Sequence, residues 1–230
     1  MRINKFIARA GIASRRNAEK YILEGRVKVN NRVITNLSTR VNIETDIVKV
    51  DDKEIYIENK KYYIMLNKPV GYTCTNSSQF NEKLIFDLIN IKVKLFSIGR
   101  LDKDSRGLIL ITNDGDIYNK VIHPRNEVFK EYIVKVDKFL IKEHKIKLEN
   151  GIDIGNYITN PAIVNYISDN ILSIKINEGK NRQIRKMLAV LGYKVLDLNR
   201  ISIGEIKLEN LDIGKYRDLT SKEIEYLNNL

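Results

Sequence analysis

The chain has 230 residues, of which 43% are hydrophobic, so it can form a core and is neither a disulfide-stabilised miniprotein nor a disordered tail. A single cysteine, Cys74, excludes an intramolecular disulfide and a cysteine zinc cage, and two histidines, His123 and His144, argue against a histidine-centred metal site. No apolar run reaches membrane-spanning or signal-peptide length, so we expect a cytoplasmic protein that does not contact membranes.

The positive charge is concentrated at the N-terminus. The formal net charge is +11, and residues 1–32 hold nine basic residues against Glu19 and Glu24. The nine are Arg2, Lys5, Arg9, Arg15, Arg16, Lys20, Arg26, Lys28 and Arg32. Lysine-rich solvated surface explains a diffuse excess of charge but not a cluster, which is typical of nucleic-acid binding. A membrane-surface helix would need a continuous amphipathic stretch, and Gly11 interrupts this one.

The first part of the chain reads as a helix-turn-helix followed by hairpins. We predict a helix over 3–10, a helix capped by Ser14 and ended by Gly25, and hairpins that turn at Asn30-Asn31 and Asp51-Asp52. Residues 1–58 would form a small module, with a short polar linker before residue 62.

Two arginines stand where a helix normally prefers acids. Arg15 and Arg16 lie in the first turn of the second predicted helix, where the helix dipole disfavours cations by about 0.3–1 kcal/mol. Exposed amides, the dipole and two guanidinium groups would together suit a phosphate. The alternative is two solvated arginines that tolerate a small penalty.

From residue 62 onward, strands predominate. Strands are predicted over 62–66, 96–98, 108–111, 131–136, 171–176 and 195–201, and helices over 118–122, over 183–191 and after Thr220, which forms a capping box with Glu223. This order predicts an α+β domain over 62–230, with flanking helices and a mixed, mostly antiparallel β-sheet.

The segment Gly99–Leu108 concentrates the reactive side chains. It has no dinucleotide, phosphate-loop or nucleophile-elbow signature nearby, and it places Asp102 and Asp104 among three cations in a glycine-bracketed loop. A carboxylate near a guanidinium is favoured in its ionised form and can act as a nucleophile or a base. The alternative is a turn neutralised by local salt bridges.

Four ordered motifs and the N-terminal module give the chain a recognisable pattern. The motifs are Asn67–Gly71, Gly99–Asp102 with Ser105, Gly107-Leu108 and Thr112–Gly115, then Lys130–Tyr132, and last Glu178–Met187. This pattern resembles the bacterial ribosomal-RNA pseudouridine synthases of the small-subunit-synthase superfamily. Residues 1–58 resemble the RNA-binding module shared with small-subunit ribosomal protein four.

The resemblance implies roles for individual residues. Asp102 matches the catalytic aspartate, Tyr132 the tyrosine that stacks on the target uracil, and Arg185 the basic residue that pairs with the aspartate. Arg100 matches a residue that can fill the gap left by a flipped nucleotide, and Arg182 is a candidate phosphate ligand. The expected RNA-binding set is therefore Arg2, Lys5, Arg9, Arg15, Arg16, Arg26, Lys28, Arg100 and Arg182.

The resemblance implies an isomerase that converts one uridine of ribosomal RNA to pseudouridine by base flipping, without metal or cofactor. Whether Asp102 attacks C1′ or removes a sugar proton stays open. The motifs more closely resemble the large-subunit synthases, including the F type, than the small-subunit enzyme. The alternatives are a small-subunit synthase, a non-catalytic ribosome-assembly protein on the same fold and, more weakly, a DNA-binding protein. We expect a monomer.

Overall fold

A computed structural model describes residues 1–76 and 81–230. The helices are α1 (Ile3–Arg9), α2 (Arg15–Leu23), α3 (Gly115–Ile122), α4 (Lys142–Asn150), α5 (Gln183–Val190) and α6 (Ser221–Asn229). The strands are β1 (Val27–Val29), β2 (Arg32–Val33), β3 (Val48–Val50), β4 (Lys53–Glu54), β5 (Tyr63–Lys68), β6 (Phe96–Ile98), β7 (Arg106–Thr112), β8 (Lys130–Val136), β9 (Ile163–Ser168), β10 (Ile171–Ile176), β11 (Val195–Ile203), β12 (Ile206–Lys207) and β13 (Tyr216–Asp218). Two compact units result, one of residues 1–61 with 92–94, the other of residues 62–91 with 95–230.

The N-terminal unit contains α1, α2 and a four-stranded sheet in the order β2-β1-β3-β4. Ser14 caps α2 as predicted, since its hydroxyl oxygen accepts a hydrogen bond from the Asn17 amide at 3.2 Å. Both predicted hairpin turns form, and their central residues have positive φ, for example +49° at Asn30 and +65° at Asn31. Apolar residues of both helices and of β1 and β3 form a core of their own.

The larger unit contains a nine-stranded sheet. Seven strands follow the order β13-β5-β7-β11-β8-β10-β9, while β6 pairs with β7 and β12 with β11. β7 and β11 are parallel, and the other strand pairs are antiparallel. The predicted mixed, mostly antiparallel sheet with flanking helices is therefore confirmed.

The sheet buries a hydrophobic cluster on each face because successive side chains of a strand point in opposite directions. Ile64 and Leu66 of β5 belong to one cluster together with residues of α4 and α5. Met65 belongs to the other, together with residues of α3 and α6. The motif residues that α5 carries therefore lie on the face of the sheet to which Leu66 points.

Candidate active site

The loop that joins β6 to β7 carries the two acidic residues singled out in the sequence. Gly99 begins it with a φ of +72°, and the Ser105 amide closes a turn by donating to the Asp102 carbonyl oxygen at 3.1 Å. The Asp102 side chain is 28% exposed and that of Asp104 is 46% exposed. Both carboxylates are therefore accessible to a ligand that approaches this loop.

A buried lysine fixes the backbone of this loop. Lys68, at the end of β5, is 0% exposed. Its ammonium donates to the carbonyl oxygens of Pro69, Asp102 and Ser105 at 3.1, 3.0 and 2.7 Å. These three bonds use all the donors of the ammonium group. Burial lowers the pKa of Lys68, yet the three carbonyl dipoles stabilise its charged form and tie the backbone on both sides of Asp102 to the sheet.

Two arginines at the start of α5 converge on Asp104. Arg182, which has a φ of +53°, donates from Nη1 and Nη2 to the two carboxylate oxygens of Asp104, both at 2.9 Å. Arg185 Nε lies 3.3 Å from Asp104 Oδ2, and Arg185 Nη2 donates to the Asp104 carbonyl oxygen at 2.9 Å. Hydrogen bonding from Arg182 and the charges of both arginines hold the pKa of the Asp104 carboxyl below its usual range.

The predicted direct pair between Arg185 and Asp102 does not form within the described residues. Arg182 is the basic residue closest to the carboxylate of Asp102, with Nη1 at 4.0 Å from Oδ2. The turn at Ser105 explains the difference, because it directs Asp104 toward the first turn of α5 and leaves Asp102 farther from Arg185. Arg185 is held in place by Asp104 and by the Val195 carbonyl oxygen, to which Nη1 donates at 3.2 Å.

Tyr132 belongs to a row of residues that crosses four adjacent strands. Strand register aligns Lys68 of β5 with Gly107 of β7, Gly107 with Arg200 of β11, and Arg200 with Tyr132 of β8. Side chains in such a row share one face of the sheet. Tyr132 is 8% exposed and belongs to the same hydrophobic cluster as Leu101, the residue before Asp102. The structure therefore places the predicted stacking tyrosine on the sheet face that carries Lys68, the anchor of the loop with Asp102.

Residues 62–190 match the sequence model of a family described as RNA pseudouridylate synthase, and residues 1–48 match the S4 domain. The chain belongs to the RNA pseudouridylate synthase family. It is therefore an isomerase of uridine in RNA, as the motifs predicted.

Relatives of the synthase align along almost its entire length. An uncharacterized RNA pseudouridine synthase of Aquifex aeolicus is 42% identical over 99% of this chain and 93% of the relative. Ribosomal large subunit pseudouridine synthase B of Bacillus subtilis is 38% identical over 100% of this chain and 96% of the relative. The dual-specificity RNA pseudouridine synthase RluF of Escherichia coli is 37% identical over 97% of this chain and 77% of the relative. A crystal structure of a pseudouridylate synthase matches with a TM-score of 0.74 and 33% identity over 99% of both chains.

The cations predicted in the S4 domain of the synthase differ in exposure and in ion pairing. Arg2, Arg9, Arg15 and Arg16 are exposed, and across residues 1–76 and 81–230 none of these four guanidinium groups has a carboxylate partner. Lys5 is partly buried on α1. The other two predicted residues, Arg26 and Lys28, are partly exposed and form ion pairs with acidic residues of the same domain.

Both of these residues pair with the turn between β3 and β4. Arg26 donates to the two carboxylate oxygens of Asp51 at 2.8 and 2.6 Å, and its guanidinium lies 3.9 Å from the Tyr21 ring centroid. Lys28 Nζ donates to Asp52 at 2.6 Å. Because Arg26 and Lys28 already have acidic partners, we expect them to contribute less to RNA binding than the exposed arginines without such partners.

Arg100 of the synthase is exposed next to Leu101, and its guanidinium has no carboxylate partner among the residues that the structure describes. Arg182, by contrast, already has an acid partner in Asp104. Over the described ranges, no helix is long and apolar enough to cross a membrane.

Sequence reasoning missed Arg200. Its side chain is only 4% exposed, and its Nε donates to the Leu108 carbonyl oxygen at 2.7 Å. The available signal was the alternation of β11, in which Leu198 and Arg200 are both buried and therefore point to the interior together. A cation at an inward position of an apolar strand needs an explanation.

Proposed function

We propose that this enzyme converts one uridine of large-subunit ribosomal RNA to pseudouridine and that Asp102 carries the chemistry. Full-length similarity to the Bacillus subtilis large-subunit synthase supports the choice of RNA. The observation that carries the chemical assignment is the partly exposed Asp102 carboxylate on a loop fixed by the Lys68 ammonium.

The reaction needs a carboxylate and a closed pocket but no change of oxidation state. The N1–C1′ bond of the uridine breaks, the detached uracil turns, and a C5–C1′ bond forms. C5 then loses its proton and N1 gains one, so the composition of the RNA does not change. Asp102 can attack C1′ as a nucleophile, or it can remove a sugar proton as a base. Both routes require the ionised carboxylate next to the ribose.

Tyr132 is the proposed platform for the flipped uracil. Stacking of a base on an aromatic ring is worth about 1–3 kcal/mol, which offsets part of the few kcal/mol needed to take the base out of the RNA stack. Because the ring is only 8% exposed, neighbouring side chains must move aside when the base enters. We therefore expect binding of the uracil to be coupled to rearrangement around Tyr132.

The arginines near the loop are proposed to bind RNA and to position the acid. Arg182 is 44% exposed at its side chain, so an RNA phosphate can compete with Asp104 for its guanidinium. The Arg185 side chain is 14% exposed and donates to the carbonyl oxygens of Val195 and Asp104. We propose that it holds the loop with Asp102 against α5. Arg100 is free to occupy the gap that the flipped nucleotide leaves.

The two parts of the chain are proposed to have separate functions, RNA binding and catalysis. Residues 1–58 would dock on structured RNA through Arg2, Lys5, Arg9, Arg15 and Arg16, and residues 62–230 would carry out the isomerisation. We propose that the enzyme acts as a monomer in the cytoplasm, where ribosomal subunits are assembled. Sedimentation of the purified protein tests the first of these statements.

Pseudouridine mapping tests the proposed function directly. Ribosomal RNA from cells with and without the gene is treated with a carbodiimide and read by primer extension, since the adduct on pseudouridine stops the polymerase. We expect one stop in large-subunit RNA to disappear in the deletion and to return with the wild-type gene but not with Asp102→Asn. A missing stop in small-subunit RNA would reassign the target, and an unchanged pattern would support a non-catalytic binding protein.

A further inference from the structure

Among residues 1–76 and 81–230, no carboxylate forms an ion pair with the buried cation Arg200. Its side chain is 4% exposed, and Nε donates to the Leu108 carbonyl oxygen at 2.7 Å. Its Nη2 is buried and has no hydrogen-bond partner anywhere in residues 1–76 and 81–230. An arginine keeps its charge, and a buried donor without a partner costs free energy, so this nitrogen should have a ligand in the working enzyme.

The position of Arg200 indicates which ligand this is. Register places Arg200 directly beside Tyr132, and the guanidinium carbon lies over the tyrosine ring, 6.0 Å from its centroid. On the other side, Gly107 supplies no side chain, so the Lys68 ammonium that anchors the Asp102 loop is the next polar group in the row. A base stacked on the Tyr132 ring would therefore lie next to the Arg200 guanidinium.

The surroundings of Arg200 favour negative charge. Burial, followed by repulsion from Arg200, lowers the pKa of Lys130 to about 8. Lys130 lies two residues before Tyr132 on the same face of β8. The negative charge of Glu178 acts in the opposite direction and favours the charged form of Lys130 by raising its pKa. A pocket with this excess of positive charge suits a group that becomes anionic during the reaction.

We propose that Arg200 Nη2 donates a hydrogen bond to a carbonyl oxygen, O2 or O4, of the target uracil. This inference rests on the proposed function of Tyr132 as the stacking platform. When the N1–C1′ bond breaks, the bonding electrons leave with the uracil, and the charge spreads from N1 onto O2 and O4. The bond from Arg200 then becomes stronger as the reaction proceeds, so it lowers the barrier as well as holding the base. The deep burial of Arg200 favours a flat base over a backbone phosphate as the ligand.

Sulfur substitution in the RNA separates this function from a purely structural one. Substrates carry uridine, 2-thiouridine or 4-thiouridine at the target position, because sulfur is a weaker acceptor than oxygen. Single-turnover rates are measured for the wild type, for Arg200→Gln and for Arg200→Lys. The control is Arg106→Gln, which breaks a pair with Asp197 between the same two strands, β7 and β11. Thermal unfolding verifies that each variant is folded.

We expect one thio-substitution to slow the wild type by about tenfold, the loss of one hydrogen bond to a charged donor. Arg200→Gln should be slowed by at least that factor on normal RNA and should show no further loss on the same thio-RNA. Arg106→Gln should be slowed by the thio-substitution by the same factor as the wild type. Arg200→Lys serves in place of Arg200→Gln if the latter does not fold.

The proposal is overturned if neither sulfur slows the wild type, or if the Arg200 variants lose as much activity on each thio-RNA as the wild type does. That pattern would assign Arg200 to strand packing alone. Failure of the proposed function looks different, since the wild type would then form no pseudouridine even in unmodified RNA.

Discussion

Arg185 lies against Asp104, with its Nε 3.3 Å from Oδ2 of that carboxylate and its Nη2 donating to the backbone oxygen of the same residue. Since Arg182 also pairs with Asp104, this second aspartate of the loop holds both arginines at the start of α5. Asp102 is left partly exposed, with one guanidinium nitrogen at 4.0 Å. We therefore propose different functions for the two aspartates, with Asp104 positioning the arginines and Asp102 available for RNA.

Asp104→Asn tests this division. The variant keeps the shape of the side chain but removes the charge that holds Arg182 and Arg185. We expect the free energy of unfolding to fall by about 1–2 kcal/mol, because one of the two guanidinium groups is largely buried. The isomerisation rate should fall by about tenfold, far less than on loss of Asp102. Urea unfolding and single-turnover assays measure both. If Asp104→Asn matched the wild type in both stability and isomerisation rate, the proposed positioning function of Asp104 would be contradicted.

Lys68→Met tests the anchor of the loop. The substitution removes the shared donor of the Pro69, Asp102 and Ser105 carbonyl oxygens, of which only that of Asp102 keeps a second donor, the Ser105 amide. A buried acceptor left without a partner costs about 1–3 kcal/mol. We expect a loss of more than about 2 kcal/mol in urea unfolding and faster hydrogen exchange at the Ser105 amide. Lys147→Met is the control, since its ion pair with Glu143 is exposed and worth about 0.5 kcal/mol or less. Equal losses in the two variants would contradict the account.

Glu223→Gln tests the pH dependence of the last helix. Arg217 donates to both carboxylate oxygens of Glu223 at 2.8 Å, and these bonds, with the Thr220 cap, lower the pKa of Glu223 to about 2. A lowered folded-state pKa stabilises the protein above the ordinary value of 4.5 and loses this effect as pH falls toward 2.

We therefore expect Glu223→Gln to cost about 1 kcal/mol at pH 7 and progressively less at pH 4 and pH 3. Urea unfolding at the three pH values measures this difference. The control is Glu143→Gln. Because the Glu143 side chain is 70% exposed, this substitution should change the free energy of unfolding little at any of the three pH values. A cost for Glu223→Gln that does not change between pH 7 and pH 3 would contradict the assignment.

Arg15→Ala and Arg16→Ala test RNA docking by the S4 domain. Each substitution should reduce the salt dependence of RNA affinity by about one unit of slope for each lost phosphate contact. Lys28→Ala is the matched control, because Lys28 already pairs with Asp52 and should change the slope less. Filter binding over a range of salt concentrations provides the slopes. If the three variants have equal slopes, the exposed arginines do not form the docking surface.

Local signals made much of the fold predictable. Paired asparagines and aspartates at hairpin turns, the Ser14 cap and the Thr220 capping box each act within a few residues, and the structure has all of them. α4 and β9 were missed because their patterns are weak. Within α4 only Leu148 is buried, and in the edge strand β9 only Val164 is buried.

The site was predictable only as far as motifs identify residue types. The motifs single out Asp102, Tyr132 and Arg185, but the partner of Arg185 depends on the direction of side chains in a glycine-bounded loop. Arg200 becomes prominent only when strand register places it beside Tyr132. Long-range register of this kind is set by the packing of the whole sheet, and a short motif does not encode it.

The central claim, that Asp102 performs the isomerisation, is tested most directly by release of tritium from ribosomal RNA labelled at C5 of uridine, since only a uracil that forms the C5–C1′ bond loses this label. We predict that Asp102→Asn releases label about 1,000-fold or more slowly than the wild type, while its affinity for the same RNA is unchanged. Label released at the wild-type rate by Asp102→Asn would contradict the account.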